Sequence, residues 1–416
     1  MITNLDYKNL RPLNDLKELG EGRYLATGED PYLEIKNLPK DLIQEITIEL
    51  ESQAGQIIEI YWTHSRTQSY SPSLRSSQKL IPGAMNTYRF LIDAEKGIKK
   101  LRIDPTNATG SIVIKNIGIF HLTSKEKEKL TTVPPYKNIP KITLKGKNGF
   151  LFLINDSNHE LRQHFDLSYH NNFDPELFIK NLNFKKKYCT QRHIQYHFFI
   201  TPDKSLVCKD FLPFEVRGVK RNYDSIKELV PDFINRVDPN CYFKNDSHIN
   251  YSGGKILSYC YLNQVDTNLK ESEFNQVLDG QISVVDGFHD GDLTYEKNWS
   301  YPEEEKKRYL KEPTITYRND FLQDKSDVLP EEFKYVGIRE TKYYLNPKGF
   351  TNLKVLIFSD SSFDFLKDVL STYFKEILFY WDHWFFNKEL IDWYKPDIIF
   401  EIRTERFLEN MKYEIR

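Results

Sequence analysis

The sequence predicts two folded parts of different class: an all-β sandwich, followed by an α/β domain built on a parallel sheet flanked by helices. Three observations predict this. Residues 1–125 are filled by short runs with apolar residues at every second position, as expected of strands buried on one face. Later runs, Phe150–Ile154 and, after its histidine, His197–Ile200, are apolar throughout, as in strands buried on both faces, and Lys354–Phe358 reads as a further strand. Segments of helical apolar spacing separate those runs, and strands alternating with helices build an α/β sheet.

Taken in order, the sandwich strands are Tyr32–Lys36, Ile46–Leu50, Ile57–Trp62, Thr87–Ile92, Lys100–Ile103 and Ser111–Lys115, with Gly, Pro, Asn and Asp between them. Half a dozen strands at turn-separated spacing make a sandwich. Residues 126–142, charged and then proline-containing, are expected to link it to the second domain, 143–416. There, residues 174–193 carry helical spacing (Leu177, Phe178, Ile179, Leu182), Phe363–Phe374 is a second expected helix, and Asp397–Ile402 is a closing strand. Residues 285–347 are polar, aromatic and acidic. They are expected to form an insertion or cap over one end of the sheet.

Composition narrows the function. At 416 residues the chain exceeds the usual single core, so two or three domains are expected. Its 58 Lys and Arg against 60 Asp and Glu leave a net charge of −2, which excludes a dedicated nucleic-acid binder or a strongly basic membrane-surface protein. An aromatic content of 14% excludes global disorder and supplies both a core and surfaces able to stack on sugar rings. No apolar stretch reaches the roughly 18–20 residues of a spanning helix, and the first residues have no secretory pattern. Cys189, Cys208, Cys241 and Cys260 show neither disulfide nor zinc spacing. Buried free thiols in a reducing, cytoplasmic compartment are the expectation.

Two segments carry candidate chemistry. Phe358-Ser-Asp-Ser-Ser-Phe follows a strand and precedes a helix. A serine there stands at the carboxyl edge of the sheet, beside a backbone N–H able to hold an oxyanion, although Ser and Asp are also ordinary N-caps. Asn245-Asp-Ser-His-Ile-Asn holds Asp246 and His248, a spacing that lets a carboxylate orient an imidazole, which can then deprotonate a serine. Other constellations are bland. His193 and His197 lack the glutamate of a zinc helix, and Lys185-Lys-Lys reads as a solvated face. Asp286-Gly-Phe-His-Asp-Gly-Asp lacks the pattern of a calcium loop. No metal site and no phosphate-binding glycine loop is expected.

Five segments in order resemble the alginate O-acetyltransferase group of SGNH-hydrolase-like proteins. Gly146-Lys-Asn-Gly-Phe-Leu-Phe-Leu is similar to that group's G-K-D-G-W-L-F-L, and Phe199-Ile-Thr-Pro-Asp-Lys to its strand-P-D-K segment. Asp246-Ser-His-Ile-Asn-Tyr-Ser-Gly-Gly resembles D-T-H-W-(N/T)-x-x-G-A, and Ser359-Asp-Ser-Ser-Phe resembles G-D-S-F. Lys395-Pro-Asp-Ile-Ile-Phe-Glu-Ile-Arg-Thr-Glu-Arg-Phe-Leu is similar to the closing P-D-V-V-x-E-x-x-E-R-x-L. The resemblance covers residues 143–410. The sandwich itself resembles, in pattern only, jelly-roll carbohydrate-binding modules of polysaccharide enzymes.

The resemblance implies an SGNH-like (flavodoxin-like) sheet and a triad of Ser361 as nucleophile, His248 as base and Asp246 as its orienter. Ser359 and Ser362 are further nucleophile candidates, and the G-D-S register favours Ser361. Arg406 is a candidate contact for an anionic substrate, although a structural pair with Glu401 is the favoured reading. Asn250, or a backbone N–H, is the candidate second oxyanion donor. Three departures stand out: Ser359 for Gly, Ile249 for Trp and Gly254 for Ala. The implied activity is transfer of acetyl from acetyl-CoA, used as a substrate with no bound cofactor, to a hydroxyl of a capsular or other bacterial surface polysaccharide. Polysaccharide-synthesis machinery is a further implied partner, in the cytoplasm or peripherally at the inner membrane. A carbohydrate acetylesterase and a non-catalytic glycan-binding protein are the alternatives.

Overall fold

Alternating side chains do in residues 1–131 what their period requires. Residues 1–416 are described by a computed structural model, except 93–96, 132, 135–138, 170–171, 338, 382–384, 411–413 and 416. The chain forms two compact units, residues 1–131 with 168–172, and residues 132–167 with 173–416. The expected linker, 126–142, lies partly outside the described residues. Its beginning belongs to a helix, Ser124–Leu130, started by a capping box in which Thr123 and Glu126 satisfy each other's backbone amides.

The first unit is a sandwich of antiparallel strands. One sheet runs Leu16–Gly20, Arg23–Ala26, Gly110–Leu122, Leu42–Ser52, Asn86–Leu91, with Ile2–Leu5 also paired to Gly110–Leu122. The other runs Leu10–Asn14, Tyr32–Ile35, Lys100–Asp104, Ile57–Thr63, Arg75–Lys79. The inward positions, among them Ile46, Ile48, Leu50, Ile58, Ile60, Leu101 and Ile103, are fully buried in one apolar core.

In the second unit a six-stranded sheet runs Gln195–Thr201, Ile398–Thr404, Lys354–Ser359, Glu376–Trp381, Lys342–Leu345, Gln323–Asp324. Its first four strands are parallel and its last two antiparallel. It is therefore a mixed sheet, where a parallel one was expected. The antiparallel pair lies within 285–347, so that the expected insertion contributes strands to the sheet itself. The run Phe150–Ile154 also departs from expectation. Thr143–Lys145 and Leu151–Leu153 form a separate hairpin, closed by Lys147-Asn148-Gly149-Phe150 with φ of +54° at Asn148 and +81° at Gly149. Asn-Gly supplies the two left-handed residues that such a tight turn demands.

The helix Pro175–Thr190 forms as its spacing predicts, capped by Asp174, whose side chain accepts from the Leu177 N–H. The helix expected over Phe363–Phe374 is instead a 3-10 turn, Ser361–Phe365, and one short helix, Lys367–Leu370. The hydroxyls of Ser371 and Thr372 bond to the carbonyls of Asp368 and Val369 and end it. Among the described residues no helix is long and apolar enough to cross a membrane. The four cysteines are free and buried.

Candidate active site

The strand Lys354–Ser359 delivers its chain to the carboxyl edge of the sheet, where Asp360 turns it. Asp360 is fully buried, accepts from the Ser362 N–H at 2.9 Å and from the Thr404 N–H at 2.6 Å, and so ties the serine turn to the end of the neighbouring strand. Among the three serines the geometry is selective. The Ser359 hydroxyl donates to the Asp360 carbonyl, and the Ser362 hydroxyl is buried. The Ser361 hydroxyl points at His248, with Oγ 2.7 Å from Nε2. On the far side of the ring, His248 Nδ1 lies 2.6 Å from Asp246 Oδ1. Two segments 113 residues apart in sequence thus place Ser361, His248 and Asp246 in one hydrogen-bonded line.

The Asp246–His248 loop is fixed by a buried lysine. Lys204, 2% exposed, donates to the carbonyls of Leu151, Lys244 and Asp246 at 2.6–3.0 Å. Burial lowers its pKa to about 8. Its neighbour Asp203 accepts from His164 Nε2, from the Arg406 backbone and from the Arg406 guanidinium. The P-D-K segment is thus structural in two directions. Lys204 holds the triad loop, and Asp203 holds the end of the closing strand.

Two residues that the sequence did not single out also meet Asp246, one through its ring and one through its backbone. His289 Nε2 lies 2.9 Å from Asp246 Oδ2, and the Asp292 N–H donates to the same oxygen at 2.9 Å. The His289 ring stacks on Phe243, 3.8 Å between centroids. Asp292 in turn accepts from the Ser247 N–H and hydroxyl. Both residues come from the Asp286–Asp292 segment, whose unusual density of Asp and His was the available signal. Asp246, His248 and Asp292 also place ligand-type atoms within 4.8 Å of one another. Their short contacts are satisfied as hydrogen bonds.

These contacts set the electrostatics. Burial by itself would raise the Asp246 pKa, but hydrogen bonds from His248, His289 and the Asp292 amide bring it well below the carboxylate range. Burial disfavours the His248 cation, yet the hydrogen bond and charge of Asp246, with Asp292 beyond, raise its pKa above the ordinary imidazole value. Asp292 is raised by burial and by the Asp246 charge. The arrangement is an ionised carboxylate orienting a basic imidazole against an hydroxyl, the constellation of nucleophilic acyl chemistry.

Other expectations are corrected. Arg406 is 5% exposed and pairs with Asp203 at 2.6 Å and Glu160 at 3.2 Å, which commits its guanidinium to buried acids. It does not pair with Glu401, whose partners are Lys185, Tyr196 and Arg403. Lys185 is therefore buried, where a solvated face was expected. Asn250 caps the helix Tyr251–Val265 by accepting from the Gly253 N–H, and it donates to the Asn240 carbonyl. That leaves its amide spent on structure.

Two of the departures have a packing reason. A Cβ on Gly254 would stand 2.0 Å from the Phe365 carbonyl, and one on Gly253 2.5 Å from the Ile249 side chain. The helix after the triad loop approaches its neighbours too closely for Ala at 254. Ile249, 1% exposed, already fills its site against that helix.

No protein-family model and no curated protein matches the chain. Solved structures similar to it include Bacillus cereus PatB1, at 11% identity and a TM-score of 0.45 over 66% of this chain and 100% of that one. The O-acetyltransferase domain of Pseudomonas putida AlgJ is similar at 13% identity and 0.37, over 65% of this chain and 94% of that one. The xylan-binding module CBM86 of Roseburia intestinalis is similar at 11% identity and 0.23, over 29% of this chain and 96% of that one.

Proposed function

We propose that the protein is a polysaccharide O-acetyltransferase working by double displacement through Ser361, His248 and Asp246. The observation that carries this reading is the Ser361–His248–Asp246 line, with contacts of 2.7 and 2.6 Å. The five ordered motif resemblances direct it toward acetyl transfer. Strand order also supports an SGNH-like core. Counted cyclically from the serine strand, the parallel block reads 2-1-3-4, a permuted flavodoxin-like order, and Ser361 stands where that order reverses, at the usual place for a ligand.

In the first half-reaction the Ser361 oxygen attacks the acetyl carbonyl of acetyl-CoA while its proton passes to His248 Nε2. Asp246 stabilises the resulting imidazolium. The Ser361 N–H, which has no hydrogen-bond acceptor among the described residues, is the oxyanion donor at the turn. Collapse expels the thiolate, which takes the proton from His248 and leaves as thiol. In the second half-reaction a sugar hydroxyl gives its proton to His248 and attacks the acetyl-serine. His248 then gives that proton to the departing Ser361 oxygen, and the products are the sugar ester and free serine. The sandwich holds the polymer. The site of action is cytoplasmic.

The reading is tested by incubating labelled acetyl-CoA with protein and a panel of polysaccharides, then separating label on polymer from free acetate. Polymer-bound label that requires Ser361 is expected. Ser361-dependent release of acetate alone, unaffected by any polymer, identifies a hydrolase and overturns the transfer reading.

A further inference from the structure

Beside the triad loop lies a cleft of about 520 Å³, bounded by the Asn148–Gly149 turn on one side and the Arg308–Pro313 segment on the other. Three cations line it from two stretches of chain: Lys244 from one, Arg308 and Lys311 from the other. All three are exposed, and among the described residues none is ion-paired. Neighbouring lysines behave differently. Lys145 pairs with Glu305 and Lys306 with Glu303. The acid in the cleft wall is Glu312, and its Oε2 is taken by the Lys244 and Asn245 amides at 2.7 and 3.0 Å. Three cations against one carboxylate leave this concavity net positive in a chain of net charge −2, and its field favours an anion.

The cleft is built into the triad's own support. Asn245, 1% exposed and also lining it, donates to the carbonyls of His289 and Tyr309. Those two bonds fix the orientation of its amide, with Oδ1 buried beside Gly291. The wall is also held in unusual backbone. Lys311 has φ of +55°, a conformation disfavoured for a lysine and concentrated at ligand sites.

Resting on the acyl-transfer reading for its context, we propose that this cleft is a substrate subsite for an anionic group, phosphate or carboxylate. Arg308 offers the planar fork that suits either oxyanion. Lys244 and Lys311 add charge. Two substrates carry this chemistry, the sugar phosphate of a nucleotide-type acyl donor and a uronic acid of an acidic acceptor polymer.

Binding is measured by calorimetry at low salt, with coenzyme A, an oligouronate and a neutral oligosaccharide of equal length as separate probes. The expected result is that at least one anionic probe binds and the neutral one does not. Its Kd should rise about tenfold or more in Arg308→Gln/Lys311→Gln, a loss on the scale of charge-assisted hydrogen bonds, and added salt should weaken it. Lys244→Gln, with a normal thermal melt, should weaken the same probe. Coenzyme A binding assigns the cleft to the donor, and oligouronate binding assigns it to the acceptor. Binding of neither anion, or Kd values within about twofold of wild type in the double variant, overturns the subsite. Ser361→Ala should bind as wild type does. A protein that binds a probe through these cations yet transfers no acetyl would refute the acyl-transfer reading and leave the subsite standing.

Discussion

The two units bury charge to different depths. In the sandwich the covered carboxylates, Glu45 and Asp104, keep 9% of their surface and pair with more open arginines. Arg102 lies 3.7 Å from the Tyr32 ring centroid and bonds to Asp104 and Asp30 at 2.6–2.7 Å, its side chain still 16% exposed. In the α/β unit the charges go inside. Lys204, Asp203, Glu160, Arg406, Glu401 and Arg403 are each 5% exposed or less, and nearly all are bonded to groups that shape the ends of strands or the triad loop. Burying an ion is costly and replacing a pair by apolar residues is often neutral or stabilising. Such a network therefore marks a region built for position more than for stability, and the position it sets is that of Asp246 and His248.

That contrast can be broken or sharpened experimentally. The largest effect is expected from Asp246→Asn, which keeps the shape and removes the charge. Its kcat/KM should fall about 10⁴-fold, as when a triad carboxylate is neutralised. The same variant tests the electrostatics. His248 must be neutral to act as base, and its raised pKa keeps it protonated to higher pH. Wild-type kcat/KM should therefore rise with pH to half its plateau above about 6.5, and the residual activity of Asp246→Asn should reach half-plateau at lower pH.

Arg406→Met strands Asp203 and Glu160 in the interior and should cost about 3–5 kcal/mol in chemical denaturation. Arg102→Met, on the partly solvated face of the sandwich, should cost about 1 kcal/mol or less. Equal costs would erase the distinction between the units. Lys204→Met takes one donor from three carbonyls, of which that of Lys244 keeps the Leu151 N–H, and a loss of about 2–3 kcal/mol is expected. Activity should fall further than stability alone explains, because one of those carbonyls belongs to Asp246. The smallest effect on activity is expected from His289→Gln, which removes one of two donors to Asp246 Oδ2. A drop of about tenfold in kcat, with KM unchanged, fits a positioning role worth about 1.4 kcal/mol.

What the sequence made legible follows the range of the interactions involved. Alternation is local, so the sandwich strands could be placed from runs such as Ile57–Trp62. The triad candidates were legible because two short motifs each carry their own geometry, an Asp two residues before a His and a serine after a strand. Residues whose meaning depends on distant partners were misread. Lys185 looked solvated because Glu401, which buries it, lies 216 residues away. Arg406 was matched to the nearby Glu401 when its acids are Asp203 and Glu160. His289 and Asp292 reach Asp246 through a hairpin, Ile282–His289 with Glu312–Asn319, that no local pattern connects to the triad. The shortened helix after Ser361 was overestimated because side-chain hydroxyls, and not its apolar spacing, decide where it ends.

The most direct test of the central claim is the intact mass of the purified protein after brief exposure to acetyl-CoA, wild type beside Ser361→Ala. The account predicts one acetyl adduct on the wild type, mapped to Ser361, absent from the variant and discharged when a sugar acceptor is added. An adduct of equal yield on Ser361→Ala, or none on the wild type while acetyl still reaches the polymer, would contradict it.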